Sequence, residues 1–133
     1  NEDLGLALGE AFRKALGDKR GIRRMGGAFV PMDETLARVR SVVDLSGRPY
    51  LDVRWGPARR QAGLDRYGLA DARHFLESFA RKSETTLHVD VLKAGEDVHH
   101  ILESVFKALG RSLLEAVERD PRVKGVPSTK GKL

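Results

Sequence analysis

Cysteine is absent from the 133-residue sequence, and its absence narrows the chemistry that the chain can support. A chain without cysteine has no disulfide framework and no thiolate metal ligand, so a reducing intracellular compartment suits it. Any metal ion must then be held by histidine, aspartate or glutamate side chains, or by water. The sequence therefore restricts a metal site to nitrogen and oxygen ligands.

Long apolar runs are missing as well. No stretch approaches the roughly 20 apolar residues that cross a bilayer. The N-terminal residues also lack the basic and then apolar pattern of a signal peptide. We therefore expect a soluble, cytoplasmic protein that does not associate with a membrane.

Aromatic residues are scarce, whereas apolar and basic residues are plentiful. The hydrophobic fraction of 41% is enough for the core of one domain. The net charge of +5 favours an anionic partner, which nucleic acid, a membrane surface or a small phosphate ester would each satisfy. Aromatic residues make up 6% of the chain and are not interleaved with the basic ones, so base stacking has little support. A basic nucleic-acid-binding module stays open as an alternative on charge alone.

The first half of the chain predicts one helix followed by three strands. Apolar residues at helical spacing in "EDLGLALGEAFRKALG" predict a helix that ends near Gly17. Between residues 26 and 55 the period changes to two, which is typical of strands, with turns expected at 31–34 and 46–48. In the second of these strands Arg38 and Arg40 alternate with residues of the opposite face, namely Ala37, Val39, Ser41, Val43 and Leu45.

The second half predicts a helix, a strand and a long final helix. These are "LADARHFLESFARKS", "TTLHVDVL" and "VHHILESVFKALGRSLLEAV", the last stopped by Asp120 and Pro121. Residues 56–68 have no clear period and predict a loop, and the tail after Pro121 is basic and irregular. The order of elements indicates an α+β fold, with helices packed on one face of a sheet.

Adjacent histidines open the final helix. His99 and Glu103 are four residues apart and His100 and Glu103 are three apart, so both imidazoles lie within reach of the same carboxylate. The apolar stripe of this helix is separate, being formed by Ile101, Leu102, Val105, Leu109 and Leu113. Two imidazoles and a carboxylate suit a divalent transition metal. From spacing alone, a solvated helix start with weak ion pairs is the favoured interpretation, and a metal site is the alternative.

The other two histidines lie on other elements. His74 stands beside Phe75 in the second helix, where a half-buried ring with a satisfied hydrogen bond is the ordinary structural role. His88 lies in the strand "TTLHV", where it is expected to face outward or to sit at the edge of the core.

Five blocks of the chain together resemble the imidazoleglycerol-phosphate dehydratase family. In order, they are "EDLGLALGEAFRKALGDKRGIRR", "PMDE", "DLSGRPYL", "HHILESVFKALGRSL" and "VPSTKG". The resemblance implies two similar half-repeats, each with an HHxxE motif. Residues 1–20 would then be the last helix of the first half-repeat, whose earlier part this sequence does not include. Residues 21–133 would be the second half-repeat with a C-terminal phosphate-binding tail.

The same resemblance implies a metal site and a phosphate site. Two Mn²⁺ ions per site would be held where subunits meet, in a large homo-oligomeric cage of two dozen subunits. The matching metal ligands in this chain are Glu2, His74, His99, His100 and Glu103, with Glu103 also the catalytic carboxylate. The positions that match the phosphate site are Arg24, Arg48, Lys107, Ser128 and Lys130.

Residue chemistry agrees with that division of roles. Arginine presents a planar fork to phosphate oxygens, and the sequence "PSTKG" offers a hydroxyl, backbone N–H groups and a lysine. Taken singly, each of these cations is also explained as an exposed turn, helix or tail charge. Asp33 and Glu34 are expected to form a turn, with contact between Asp33 and the site as the alternative.

The activity implied by the resemblance is the metal-dependent dehydration of imidazole glycerol phosphate to imidazole acetol phosphate, in histidine biosynthesis. The metals would act as Lewis acids and as a template. A non-catalytic fragment or assembly subunit of that enzyme is the alternative, because the first HHxxE motif is represented here by Glu2 alone.

Overall fold

A computed structural model describes residues 1–56, 63–64 and 67–133, and the side chains of residues 37–42, 63 and 64 fall outside that description. The helices are α1 (Glu2–Leu16), α2 (Leu69–Ser83) and α3 (Val98–Val117). The strands are β1 (Met25–Met32), β2 (Thr35–Asp44), β3 (Tyr50–Arg54), β4 (Gly63–Leu64), β5 (Tyr67–Gly68) and β6 (Thr86–Lys93). The predicted helices and the four long strands are therefore confirmed.

Four strands form one sheet in the order β1–β2–β6–β3. β1 pairs with β2, and β2 with β6, in antiparallel fashion, whereas β3 runs parallel to β6. Neighbouring parallel strands require a long crossover connection, and the segment that contains α2 supplies it. The register places Met25 opposite Asp44 and Tyr50 opposite Thr86.

One face of this sheet is buried under helices. In β6 the side chains of Leu87, Val89 and Val91 are buried, while His88 and Asp90 on the other face are partly exposed. α3 packs on β1 and β2, and α2 packs on β3. The α+β fold with helices on one face of the sheet is confirmed. None of the described helices is both long and apolar enough to span a bilayer.

α1 packs on α2 through two glycines one helical turn apart. A Cβ added at Gly5 would lie 2.7 Å from the carbonyl oxygen of Phe75, and one at Gly9 would lie 2.6 Å from that of Phe79. Real Cβ atoms do not approach backbone oxygens so closely, so the two helices touch only because these positions carry hydrogen. The assignment of α1 to an earlier half-repeat stays a prediction.

Details of the loops differ from expectation. The turn between β1 and β2 is confined to Asp33 and Glu34, because Pro31 and Met32 still belong to β1. In the predicted loop, residues 57–62 and 65–66 lie outside the described residues, but β4 and β5 pair with each other in antiparallel fashion. The predicted alternation of side chains from Ala37 to Ser41 also lies outside the described side chains, whereas Val43 and Leu45 are fully buried as expected.

Candidate active site

A cavity of about 340 Å³ lies where the start of β1, the loop after β2 and the C-terminal tail meet. It is lined by Arg24, Ser46, Arg48, Ser128, Thr129, Lys130, Lys132 and Leu133, and we call it the basic cavity. Arg24 directly precedes β1, while Ser46 and Arg48 follow β2. Four of the five residues predicted to hold phosphate therefore line one cavity.

Backbone hydrogen bonds tie the tail to the segment before β1. The Gly21 N–H donates to the Gly125 carbonyl at 3.0 Å, and the Asp120 N–H donates to the Gly21 carbonyl at 2.9 Å. The Lys130 N–H donates to the Ser128 hydroxyl at 3.2 Å, which closes a local turn around the predicted phosphate-binding residues. The tail is irregular, as predicted, but it is anchored, and this anchoring brings Ser128 and Lys130 to Arg24.

The fifth predicted residue, Lys107, is not among those lining the basic cavity. It lies on α3, with its Nζ 2.5 Å from Oε1 of Glu103. The Nε2 of His99 lies 3.2 Å from Oε2 of the same carboxylate. The hydrogen bond from Lys107 is the main reason that the pKa of Glu103 lies below its usual value, and His99 adds to it. The contact between His99 and Glu103 that helical spacing predicts is thus present on α3, and Glu103 lies between His99 and Lys107.

His100 turns away from Glu103 toward the β1–β2 turn. Its Nδ1 lies 3.0 Å from Oε2 of Glu34, and its Nε2 lies 3.6 Å from Oδ2 of Asp33. The hydrogen bond with Glu34 is the main cause of a raised pKa for His100. Together, Asp33, Glu34 and His100 offer three ligand atoms within 4.8 Å of one another.

Glu34 is a contact that sequence reasoning missed. The block "PMDE" predicts a turn, with Asp33 as the alternative contact, and nothing in a local pattern pairs position 34 with position 100. Antiparallel pairing of β1 with β2 forms this turn, and the hydrogen bond from the Gly95 N–H to the Thr35 hydroxyl at 3.0 Å holds it beside the start of α3.

The two remaining predicted ligands, Glu2 at the start of α1 and His74 in α2, form a pair. Oε2 of Glu2 lies 3.6 Å from Nε2 of His74, and its Oε1 lies 3.4 Å from the guanidinium of Arg81. Glu2 and His74 are both exposed. The prediction that the ring of His74 is half-buried is therefore wrong. Within the described part of the chain, Glu2 and His74 belong to no group of three ligand atoms within 4.8 Å of one another.

His88 lies apart from these groups, on the sheet face opposite the helices. Its ring is 5.4 Å from that of Tyr50, and its Nδ1 is 3.8 Å from Oδ2 of Asp52. This is the outward-facing role expected from its place in β6.

A sequence model described as imidazoleglycerol-phosphate dehydratase matches residues 1–113 of the chain. The chain belongs to the imidazoleglycerol-phosphate dehydratase family. The resemblance inferred from the five blocks is thereby confirmed, and four of those blocks lie within the matched residues.

Individual members of the family agree over nearly the whole chain. The imidazoleglycerol-phosphate dehydratases of Bacillus pumilus and Kineococcus radiotolerans are 49% and 54% identical to it, over 99% of this chain in both cases. The chain spans about 66% of the length of these relatives.

Solved structures of family members share the fold. The imidazoleglycerol-phosphate dehydratase of Staphylococcus aureus is 34% identical, with a TM-score of 0.80 over 90% of this chain and 66% of that one. The enzyme of Pyrococcus furiosus in complex with (S)-C348 is 36% identical, with a TM-score of 0.81 over 99% of this chain and 69% of that one.

The donor atoms on α3 suit a divalent transition metal. His99 and Glu103 present an imidazole nitrogen and a carboxylate oxygen 3.2 Å apart, and both side chains reach solvent. His99 and His100 have ring centroids 6.1 Å apart, so the adjacent histidines lie side by side at the start of α3. Nitrogen and oxygen donors of this kind fit Mn²⁺, Fe²⁺ or Zn²⁺.

Proposed function

We propose that the protein catalyses the metal-dependent dehydration of imidazole glycerol phosphate to imidazole acetol phosphate in histidine biosynthesis. The observation that carries the proposal is the convergence of Arg24, Arg48, Ser128 and Lys130 on one cavity. These residues come from three distant parts of the sequence, and they are the donors that the family resemblance assigns to the substrate phosphate.

The basic cavity binds the phosphate end of the substrate. Arg24 and Arg48 supply planar donor pairs, Lys130 supplies a mobile positive charge, and Ser128 supplies a hydroxyl. Holding the phosphate fixes one end of a small substrate, so that the reacting carbon atoms take up a defined position.

The proposed metal ligands are Glu2, His74, His99, His100 and Glu103, and the proposed ion is Mn²⁺. When bound, the ions supply Lewis-acid stabilisation of negative charge on the substrate. Glu103 is the catalytic carboxylate of this set, acting first as a ligand. The low pKa of Glu103 keeps it ionised, and therefore able to bind a cation, well into the acidic range.

A complete metal site requires more than one chain in this proposal. The Glu2–His74 pair joins no larger group of ligand atoms among the described residues, whereas a transition metal needs four to six ligands around one point. We therefore propose a homo-oligomeric cage of two dozen subunits in which the ligands of different subunits meet. An assembly subunit without catalysis would share this architecture and differ only in turnover.

Turnover tests the proposal directly. The purified protein is stripped with a chelator, reloaded with Mn²⁺ and assayed for imidazole acetol phosphate. We expect activity only after reloading. We also expect Lys130→Ala to raise KM about tenfold or more, because the substrate phosphate loses a charge-assisted contact. Lys124→Ala is the matched control, because Lys124 is an exposed lysine of the same tail that does not line the basic cavity.

Two results would contradict the proposal in different ways. A protein that binds Mn²⁺ and assembles but gives no product would be a non-catalytic assembly subunit. If the protein does not bind Mn²⁺, and if its Lys130→Ala variant binds phosphate as tightly as the parent, the protein has no site of this kind.

A further inference from the structure

The guanidinium of Arg24 is held from two sides before any ligand is present. Its Nε lies 2.5 Å from Oδ1 of Asp44 and one terminal nitrogen lies 3.0 Å from Oδ2, which is a bidentate pair. The other terminal nitrogen donates to the Pro127 carbonyl at 2.8 Å. Both side chains of the ion pair are largely buried, with 17% of Arg24 and 22% of Asp44 exposed.

The backbone of Arg24 is fixed as firmly as its side chain. Its φ of 71° lies in the left-handed region, which side chains other than glycine rarely adopt unless their surroundings impose it. The Arg24 N–H donates to the Ala116 carbonyl at 2.9 Å, and the Arg24 carbonyl accepts from the Leu45 N–H at 3.2 Å. The side chain of Arg24 is therefore held by Asp44, and its main chain is held by Leu45, the residue that follows Asp44.

These contacts leave part of the guanidinium unused. An arginine side chain has five N–H donors, and Asp44 and Pro127 together engage three of them. Among the described residues no partner takes up the other two N–H groups, one on each terminal nitrogen, and Arg24 lines the basic cavity. A pair of donors on neighbouring nitrogens matches two oxygens of one phosphate.

We propose that Asp44 is a positioning residue for the phosphate, acting through Arg24. Asp44 holds the guanidinium so that its two remaining N–H groups face the basic cavity, and the hydrogen bond to Pro127 couples this orientation to the tail that carries Ser128 and Lys130. This inference rests on the proposed phosphate site. Neither Asp44 nor its pairing with Arg24 follows from the motif that assigns Arg24.

The sign of one effect separates positioning from simple electrostatics. Asp44 is a negative charge beside a site for a negative ligand, so its removal should strengthen phosphate binding if charge alone matters. If Asp44 positions Arg24, its removal should weaken binding, because the guanidinium loses its orientation. The two effects oppose each other, and the measured change reports which one is larger.

The experiment is calorimetric titration of the full chain with inorganic phosphate. We expect Asp44→Asn to raise the dissociation constant about tenfold, comparable to the loss of one charge-assisted hydrogen bond. Asp52→Asn is the matched control, because Asp52 also pairs with an arginine, Arg54 at 3.1 Å, but on β3 and outside the residues that line the cavity. An unchanged or lower dissociation constant in Asp44→Asn would overturn the proposal.

A double-mutant cycle shows whether Asp44 acts through Arg24. In an Arg24→Lys background the bidentate pair no longer exists, so adding Asp44→Asn should produce no further weakening. A full additional tenfold loss in that background would contradict a role through Arg24. If Asp44→Asn does not fold, Asp44→Glu keeps the charge while displacing the guanidinium, and a parent-like dissociation constant in that variant would overturn the proposal.

The outcome also separates this inference from the proposed function. Arg48→Ala and Lys130→Ala remove donors from the same cavity without touching the Arg24–Asp44 pair. If these variants bind phosphate as the parent does, the phosphate site itself is wrong. If they bind it weakly while Asp44→Asn binds it normally, only the role of Asp44 is wrong.

Discussion

The basic cavity and the candidate metal ligands differ in what already surrounds their charged groups. In the cavity, Arg24 is fixed by Asp44 and by the Pro127 carbonyl, and the tail is tied to the chain before β1. The proposed metal ligands instead pair with other side chains, since Glu2 contacts His74, His99 contacts Glu103, and His100 contacts Glu34.

This difference reflects the two kinds of ligand. A phosphate is recognised by donors that converge from one side, and a single chain can arrange them in a cavity. A transition metal needs ligands from several directions around one point, and the Glu2–His74 pair joins no larger group of ligand atoms among the described residues. In the proposed function a single chain therefore holds the phosphate, whereas ligands from other subunits complete the metal site.

The largest expected effect concerns this dependence on assembly. We predict that His99→Ala or Glu103→Ala abolishes metal binding and cage formation together, because the same ligands would be shared between subunits. Elemental analysis and light scattering on one sample measure both quantities. Glu77→Ala is the control, since Glu77 is an exposed carboxylate of α2 that contributes no proposed ligand. Metal content and particle size equal to those of the parent would refute the prediction.

A second prediction concerns the close packing of α1 on α2, which brings Glu2 to His74. We expect Gly9→Val to push α1 away from α2, because even a Cβ at this position would lie 2.6 Å from the Phe79 carbonyl. Overpacking of this kind lowers the free energy of unfolding by about 1–3 kcal/mol, measured by urea denaturation.

Gly110→Ala is the matched control for that variant. Gly110 is also helical, on α3, but nothing lies within 4 Å of an added Cβ. Alanine there should raise the free energy of unfolding by up to about 1 kcal/mol through helix propensity. If both substitutions changed stability by the same amount, the close approach of α1 and α2 would not be the cause.

The smallest expected effect concerns the anchor of the tail. The side chain of Arg122 lowers the pKa of Asp120 to about 2 from an ordinary 3.8. Because the folded-state pKa is the lower one, the stabilisation is present above about pH 3.8 and is lost as the pH falls toward about 2. Asp120→Asn should therefore unfold at slightly lower temperature than the parent at pH 7, with the difference shrinking toward pH 2.

Asp18→Asn controls for the loss of a carboxylate that lies two residues before an arginine. Asp18 faces Arg20 two residues along, the spacing that Asp120 and Arg122 have, but at 3.8 Å instead of 2.7 Å. Melting curves at several pH values, recorded for both variants, test the assignment. A difference between Asp120→Asn and the parent that persisted unchanged to pH 2 would point to a cause other than this ion pair.

Local spacing along the chain is enough to predict the helices and the contacts within them. Helical periodicity fixed α1, α2 and α3, and the spacing of four residues brought His99 to Glu103 on one turn. The motif blocks named the residues proposed to bind phosphate, of which Arg24, Arg48, Ser128 and Lys130 line one cavity. Each of these inferences needs only the geometry of a single element or a family pattern.

Contacts between residues far apart in the chain arise from the way the strands and helices pack together. Glu34 and His100 are 66 positions apart in the chain, and they meet because the β1–β2 turn points at the start of α3. Asp44 reaches Arg24 because the register of β1 and β2 places it opposite Met25. Such pairings depend on strand register and on the packing of helices against the sheet, which a local sequence pattern does not encode.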